Sequence, residues 1–156
     1  MSFRISSLPV EPFMPLFGLS DEALLRHGAR RAIADEKPGF PCRVTLADAE
    51  PGESLLLLNY QHLAEETSPY RAQGPIFVWE AAREGRVVVD AVPDYLAKRL
   101  LSIRAYDRDG MMLEADVIDG GELSPMIDRM FAIGGVDYLH AHFARRGCYA
   151  ARIDRA

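Results

Sequence analysis

Apolar and polar residues alternate along much of this chain, and helical spacing is the exception. Phe3-Arg4-Ile5 predicts a first strand, followed by a stretch that Pro9, Pro12 and Pro15 keep irregular. Ser20 is a natural N-cap, Asp21 and Glu22 suit a first helical turn, and Gly28 suits the end of that helix. Ala29–Ala34, Cys42–Leu46 and Ser54–Tyr60 predict strands, with a turn over Ala49–Glu53. Gln61–Pro75 lacks periodicity and predicts a long, ordered loop.

Two further strands are expected over Ile76–Glu80 and Arg86–Asp90, around a turn at Glu84-Gly85, with a short helix from Pro93 to Leu101. Ser102–Asp107 and Met111–Val117 predict a hairpin turned by Arg108-Asp109-Gly110, with Arg104 facing Glu114. One segment has a clear helical period. Leu123, Met126, Ile127, Met130 and Phe131 form an apolar stripe in Glu122–Ala132, with Pro125 in its first turn. Gly134-Gly135 then breaks the helix ahead of a last hairpin. Seven to nine strands and three short helices without βαβ alternation predict an α+β fold on a largely antiparallel, twisted sheet. No repeat or linker divides the 156 residues, so 1–156 is expected to be one domain.

Composition removes several functional classes. A net charge of −5 argues against nucleic-acid binding. No apolar run approaches the ~20 residues of a membrane span, and the first residues lack the apolar core of an export signal. A cytoplasmic location follows, with Cys42 and Cys148 as reduced thiols. Sixteen of the 18 basic residues are Arg, whose planar fork matches carboxylate and phosphate. Dinucleotide, phosphate-loop and nucleophile-elbow motifs are missing, and Asp107–Gly110 is too short for a calcium loop.

The chemistry concentrates in the last hairpin. In a strand, His140 and His142 share a face about 7 Å apart at their Cα atoms. A three-residue turn at Arg145-Arg146-Gly147 would pair Ala144 with Cys148, His142 with Ala150 and His140 with Arg152. Two imidazoles, a thiol and a guanidinium then share one face. Three kinds of chemistry suit these residues. The first is a small anionic ligand held by Arg43, Arg71, Arg145 or Arg152, with His62 and Tyr70 lining the pocket under the 61–75 loop. If such a pocket were catalytic, His140 or His142 would be the general base and Cys148 the nucleophile. Cys42, beside Arg43, is a second thiol candidate. The second is a zinc-type metal on His140, His142 and a third ligand from Cys148, His62 or Cys42, although nothing in the sequence requires a cofactor. The third is a non-catalytic interaction domain in which the cluster is structural.

Several segments together resemble one family. They include Asp35-Glu36-Lys37-Pro38-Gly39-Phe40-Pro41-Cys42-Arg43, Asn59-Tyr60-Gln61-His62 and Ser68-Pro69-Tyr70-Arg71. Ala105-Tyr106-Asp107-Arg108-Asp109-Gly110 and the tail Arg146-Gly147-Cys148-Tyr149-Ala150-Ala151-Arg152 complete the set. The combination resembles a bacterial domain-of-unknown-function family, number 1203, across essentially the whole chain. That resemblance implies a self-contained bacterial domain and brings no activity, cofactor or catalytic residue with it.

Overall fold

In the computed structural model, which describes Met1–Ala156, eleven strands form two sheets. The first sheet has six strands. They are β1 (Phe3–Ser6), β7 (Val87–Val89), β8 (Leu100–Tyr106), β9 (Met112–Asp119), β10 (Tyr138–Phe143) and β11 (Tyr149–Arg155). Their order is β7-β1-β11-β10-β8-β9, antiparallel throughout. The second sheet has five: β2 (Arg30–Ile33), β3 (Pro41–Cys42), β4 (Ala47–Asp48), β5 (Ser54–Leu63) and β6 (Ala72–Trp79). Their order is β2-β5-β6-β3-β4, and β3 on β6 is the one parallel pair. The fold is α+β, as the alternation predicts.

The helices are short: α1 (Asp21–Arg26), α2 (Asp94–Ala97) and α3 (Leu123–Phe131). Ser20 caps α1 by accepting from the Ala23 amide at 3.1 Å, and Gly28 follows the helix at φ +70°. In α3 all five residues of the apolar stripe are buried. They pack on the inward side of the first sheet, against Leu101, Ile103, Leu139, Ala141 and Ile153. The second sheet carries its own core, where Leu24 of α1 and the N-terminal Val10 and Phe13 meet Leu55, Ile76 and Val78.

Strand β10 lies between β11 and β8, and all six of its residues are buried. Side chains alternate across a strand. Leu139, Ala141 and Phe143 therefore join the helix-covered core, leaving Tyr138, His140 and His142 for the other side. There the strand meets the end of β5, which brings in His62, and Leu63 packs with Tyr106 and Tyr138.

Several expectations are corrected. Cys42–Leu46 is not one extended piece: after Cys42 the chain turns, and Leu46 has φ +52°. The expected 61–75 loop shrinks to residues 64–71, because β5 runs on to Leu63 and β6 starts at Ala72. Pro75 looks like turn punctuation, yet β3 pairs with β6 only at Cys42–Phe77, so its missing N–H costs no ladder bond there. The strands before and after Glu84-Gly85 belong to different sheets, so they form no hairpin. The helix after Pro93 spans only Asp94–Ala97, since Leu100 and Leu101 are already in β8. Arg104 stands across from Ala115, with Glu114 opposite Ala105. Asp107 causes this shift: its carboxylate accepts from the amides of Asp109 and Met111, lengthening the turn and bulging the ladder.

Candidate functional site

The last hairpin departs from the predicted register in a way that decides the site. Its loop has four residues: Gly147 donates to the Phe143 carbonyl at 2.7 Å, and Phe143 donates to the Cys148 carbonyl at 2.9 Å. Gly147 takes φ +81°, a conformation that favours glycine. Phe143, not Ala144, thus closes against Cys148. His140 still pairs with Arg152, but a bulge at Ala150 sets Tyr149 opposite His142.

Tyr149 gathers three histidines. Its ring stacks on His62 at 5.2 Å and 12° and meets His140 and His142 edge-on at 5.0 and 5.8 Å. The three imidazoles stand 5.0–6.2 Å apart by ring centroid. His142 Nδ1 lies 2.9 Å from the Gly147 carbonyl, which only accepts, so the proton sits on Nδ1. The remaining buried nitrogens, His142 Nε2 and His140 Nδ1, have no partner. Burial is the main force holding these rings neutral. It lowers His62 to about 4 and His142 to about 3, with Arg104 adding repulsion, and it drives His140 well below its usual value. Arg152 pairs with Asp154 and lies 3.9 Å over the Tyr138 ring. A small hollow of about 260 Å³ opens here, lined by His62, His140, Tyr138, Arg108 and Arg152. No three His, Cys, Asp or Glu residues come together as a metal ion would need.

Cys148 does not join this group. It borders a second, larger cleft of about 1000 Å³ with Phe143, Arg145 and Arg146. The other walls are the 36–41 segment with Phe40, the β6 residues Pro75, Ile76 and Phe77, and the corner after α2 with Lys98 and Arg99. Five basic side chains line it (Arg43, Lys98, Arg99, Arg145, Arg146) against two acidic ones, Glu36 and Asp119. Asp48 and Asp94 pair with Arg99 and Lys98, so the cationic character of the cleft rests on Arg43, Arg145 and Arg146.

Arg43 is the one buried charged residue in the lining of this cleft. Only 2% of its surface is exposed. Its Nε donates to the Tyr149 carbonyl and one terminal nitrogen to the Pro41 carbonyl, both at 2.7 Å. The guanidinium lies 4.9 Å from the Phe143 ring centroid, and Arg99 stands 4.8 Å from the same centroid. The two differ in compensation. Arg99 is held by Asp48 in a bidentate pair, whereas Arg43 has no carboxylate partner. The other terminal nitrogen of Arg43 makes no protein hydrogen bond and is not sealed from solvent.

The sequence model of a family described as "Protein of unknown function (DUF1203)" matches residues 39–155. The chain belongs to that family. The DUF1203 match spans every candidate residue from Cys42 to Arg152, and it leaves out β1, although β1 lies between β7 and β11 in the first sheet. No curated protein and no solved structure matches the chain. No helix is long and apolar enough to cross a membrane.

The predicted site residues thus divide. His62, His140, His142 and Arg152 assemble on one side, and Arg43, Arg145 and Cys148 on the other. Cys42 is buried in the second core, where its sulfur accepts from the Trp79 amide at 3.3 Å. Arg71 is exposed, and Tyr70 meets Tyr106 edge-on at 6.4 Å, outside both hollows. Tyr149, Phe143, Lys98 and Arg99 join these sites without having been predicted from the sequence. Nothing in their local sequence marks them, since only the bulge and the sheet-to-sheet contact bring them into place.

Proposed function

We propose that this protein binds a small organic anion in the cationic cleft, with Arg43 as the anchoring guanidinium. The observation that carries the reading is the buried Arg43 charge without a carboxylate, one terminal nitrogen of which is left open. A buried charge is costly unless an opposite charge or several hydrogen bonds offset it. Two carbonyls and the Phe143 face do part of this, and a carboxylate or phosphate in the cleft completes it. Phe40, Phe77 and Leu57 on the walls suit an apolar or aromatic body on the same ligand. The setting we propose is the bacterial cytoplasm, where the free thiols of Cys42 and Cys148 persist.

Thermal unfolding with a panel of anions (inorganic phosphate, citrate, benzoate and phenyl phosphate) tests this. A binder present at ~100 times its Kd adds about 2.7 kcal/mol. For a chain of this length that raises Tm by roughly 5–10 °C. The rise should shrink in high salt and disappear in Arg43→Gln. Should Arg43→Gln fail to fold, Arg145→Ala/Arg146→Ala at the rim serves instead, with a reduced shift expected. A panel that leaves Tm unmoved overturns the proposal.

A further inference from the structure

We propose that Cys148 is a covalent modification site at which anionic low-molecular-weight disulfides form mixed disulfides with this protein. The inference rests on the cationic cleft proposed above and adds a reaction to it. Of the two thiols, Cys42 is 1% exposed and engaged by the Trp79 amide, while Cys148 is only partly buried and borders the cleft. The one contact Cys148 makes through sulfur is a long 3.9 Å approach to the Arg146 carbonyl, which leaves the sulfur free to meet a reagent.

The cleft supplies the second element, an anion-holding group next to that thiol. Arg43 is nine-tenths buried or more and donates to the carbonyl of Tyr149, the residue that follows Cys148. An anion on its open nitrogen therefore lies beside the turn that carries the thiol. Arg145 and Arg146 lie within that same turn. A cationic cleft raises the local concentration of anionic reagents over neutral ones, and salt weakens that preference.

The chemistry balances without further reactants. The Cys148 thiol gives its proton to solvent, and the thiolate attacks one sulfur of the bound disulfide R–S–S–R. The old S–S bond breaks, a Cys148–S–S–R bond forms, and R–S⁻ leaves with the electron pair. Cysteine is oxidised and half of the reagent is reduced, and excess free thiol reverses the step.

Two chromogenic aromatic disulfides of opposite character test this on the intact chain: dianionic dithiobis(nitrobenzoate) and neutral dithiodipyridine. Peptide mass spectrometry identifies the modified residue. At low salt, native Cys148 should favour the dianion over the neutral reagent about tenfold more than the denatured chain does. The excess should fall towards unity in high salt and in Arg145→Gln/Arg146→Gln. A native preference equal to that of the denatured chain, label on Cys42 alone, or modification no faster than global unfolding overturns the inference. Thermal shifts by the anion panel in Cys148→Ser separate the two proposals. Shifts that persist there while the native thiol shows no anionic preference defeat the modification alone. If neither is seen, the cleft itself is wrong.

Discussion

Tyr149 faces His142 across the β10–β11 ladder, because Ala150 is bulged out of register between them and the regular pairing of His140 with Arg152. From that position its ring stacks on His62 of the other sheet and touches both strand histidines. The bulge thus determines what surrounds the three imidazoles.

If the Tyr149 ring excludes water from His62, Tyr149→Phe should keep the stack and change stability by less than ~1.5 kcal/mol. Tyr149→Ala should cost about 3–5 kcal/mol through the cavity it leaves. NMR titration of the folded Ala variant should then show His62 rising from about 4 towards its ordinary value, since burial is the main cause of its depression. A His62 titration identical in all three proteins would contradict the assignment.

The same histidines should make the fold acid-sensitive well above the carboxylate range. In the unfolded chain they take up protons near pH 6.5, while in the folded chain His62 waits until about 4 and His142 until about 3. The unfolded state therefore binds more protons between those limits, so stability is full above pH 6.5 and falls below it. Buried His140 and His142 each contribute a slope of up to about 1.4 kcal/mol per pH unit. Urea unfolding at pH 7.5 and pH 5 measures this, and His142→Gln should flatten the dependence. Equal midpoints at both pH values would rule it out.

Glu80 should show an acid limit of a different origin. Its carboxylate accepts from Arg31, the Ser54 hydroxyl and the Gly18 amide, and the Arg31 bond leads in lowering it to about 2. Its stabilisation is complete above the unfolded value of about 4.3 and disappears as pH falls towards 2. Glu80→Gln should cost about 1–3 kcal/mol at neutral pH, and the loss should vanish near pH 2. A penalty independent of pH would show that packing, not charge, is responsible.

Gly120 should tolerate no side chain. A Cβ built there would lie 2.0 Å from the Leu96 carbonyl oxygen and 2.8 Å from that of Arg99, both rigid backbone. Its own amide donates to Arg99 O at 2.8 Å, tying β9 to the corner after α2. Gly120→Ala should destabilise by at least about 3 kcal/mol or give insoluble protein. Gly121→Ala, with open space around its Cβ, is the control and should behave as wild type. A Gly120→Ala protein of normal stability would show that this corner packs differently.

What the sequence determined by itself is the local order. Period-two alternation, the Ser20 cap, the stripe from Leu123 to Phe131 and the turn glycines act over a few residues, so α1, α3 and most strands are legible one segment at a time. The pairing of His140 with Arg152 is legible for the same reason, and so is the chemical weight of that hairpin. Tertiary structure decided the rest. Whether a strand continues through Pro75, how far Asp107 lengthens its turn, and whether Ala150 bulges depend on ladder partners distant in sequence. The division of the candidates into a histidine cluster and an arginine cleft followed from one such decision. Successive residues of a strand face opposite ways, so the register that brought Tyr149 to the histidines left Cys148 beside Phe143 on the arginine cleft.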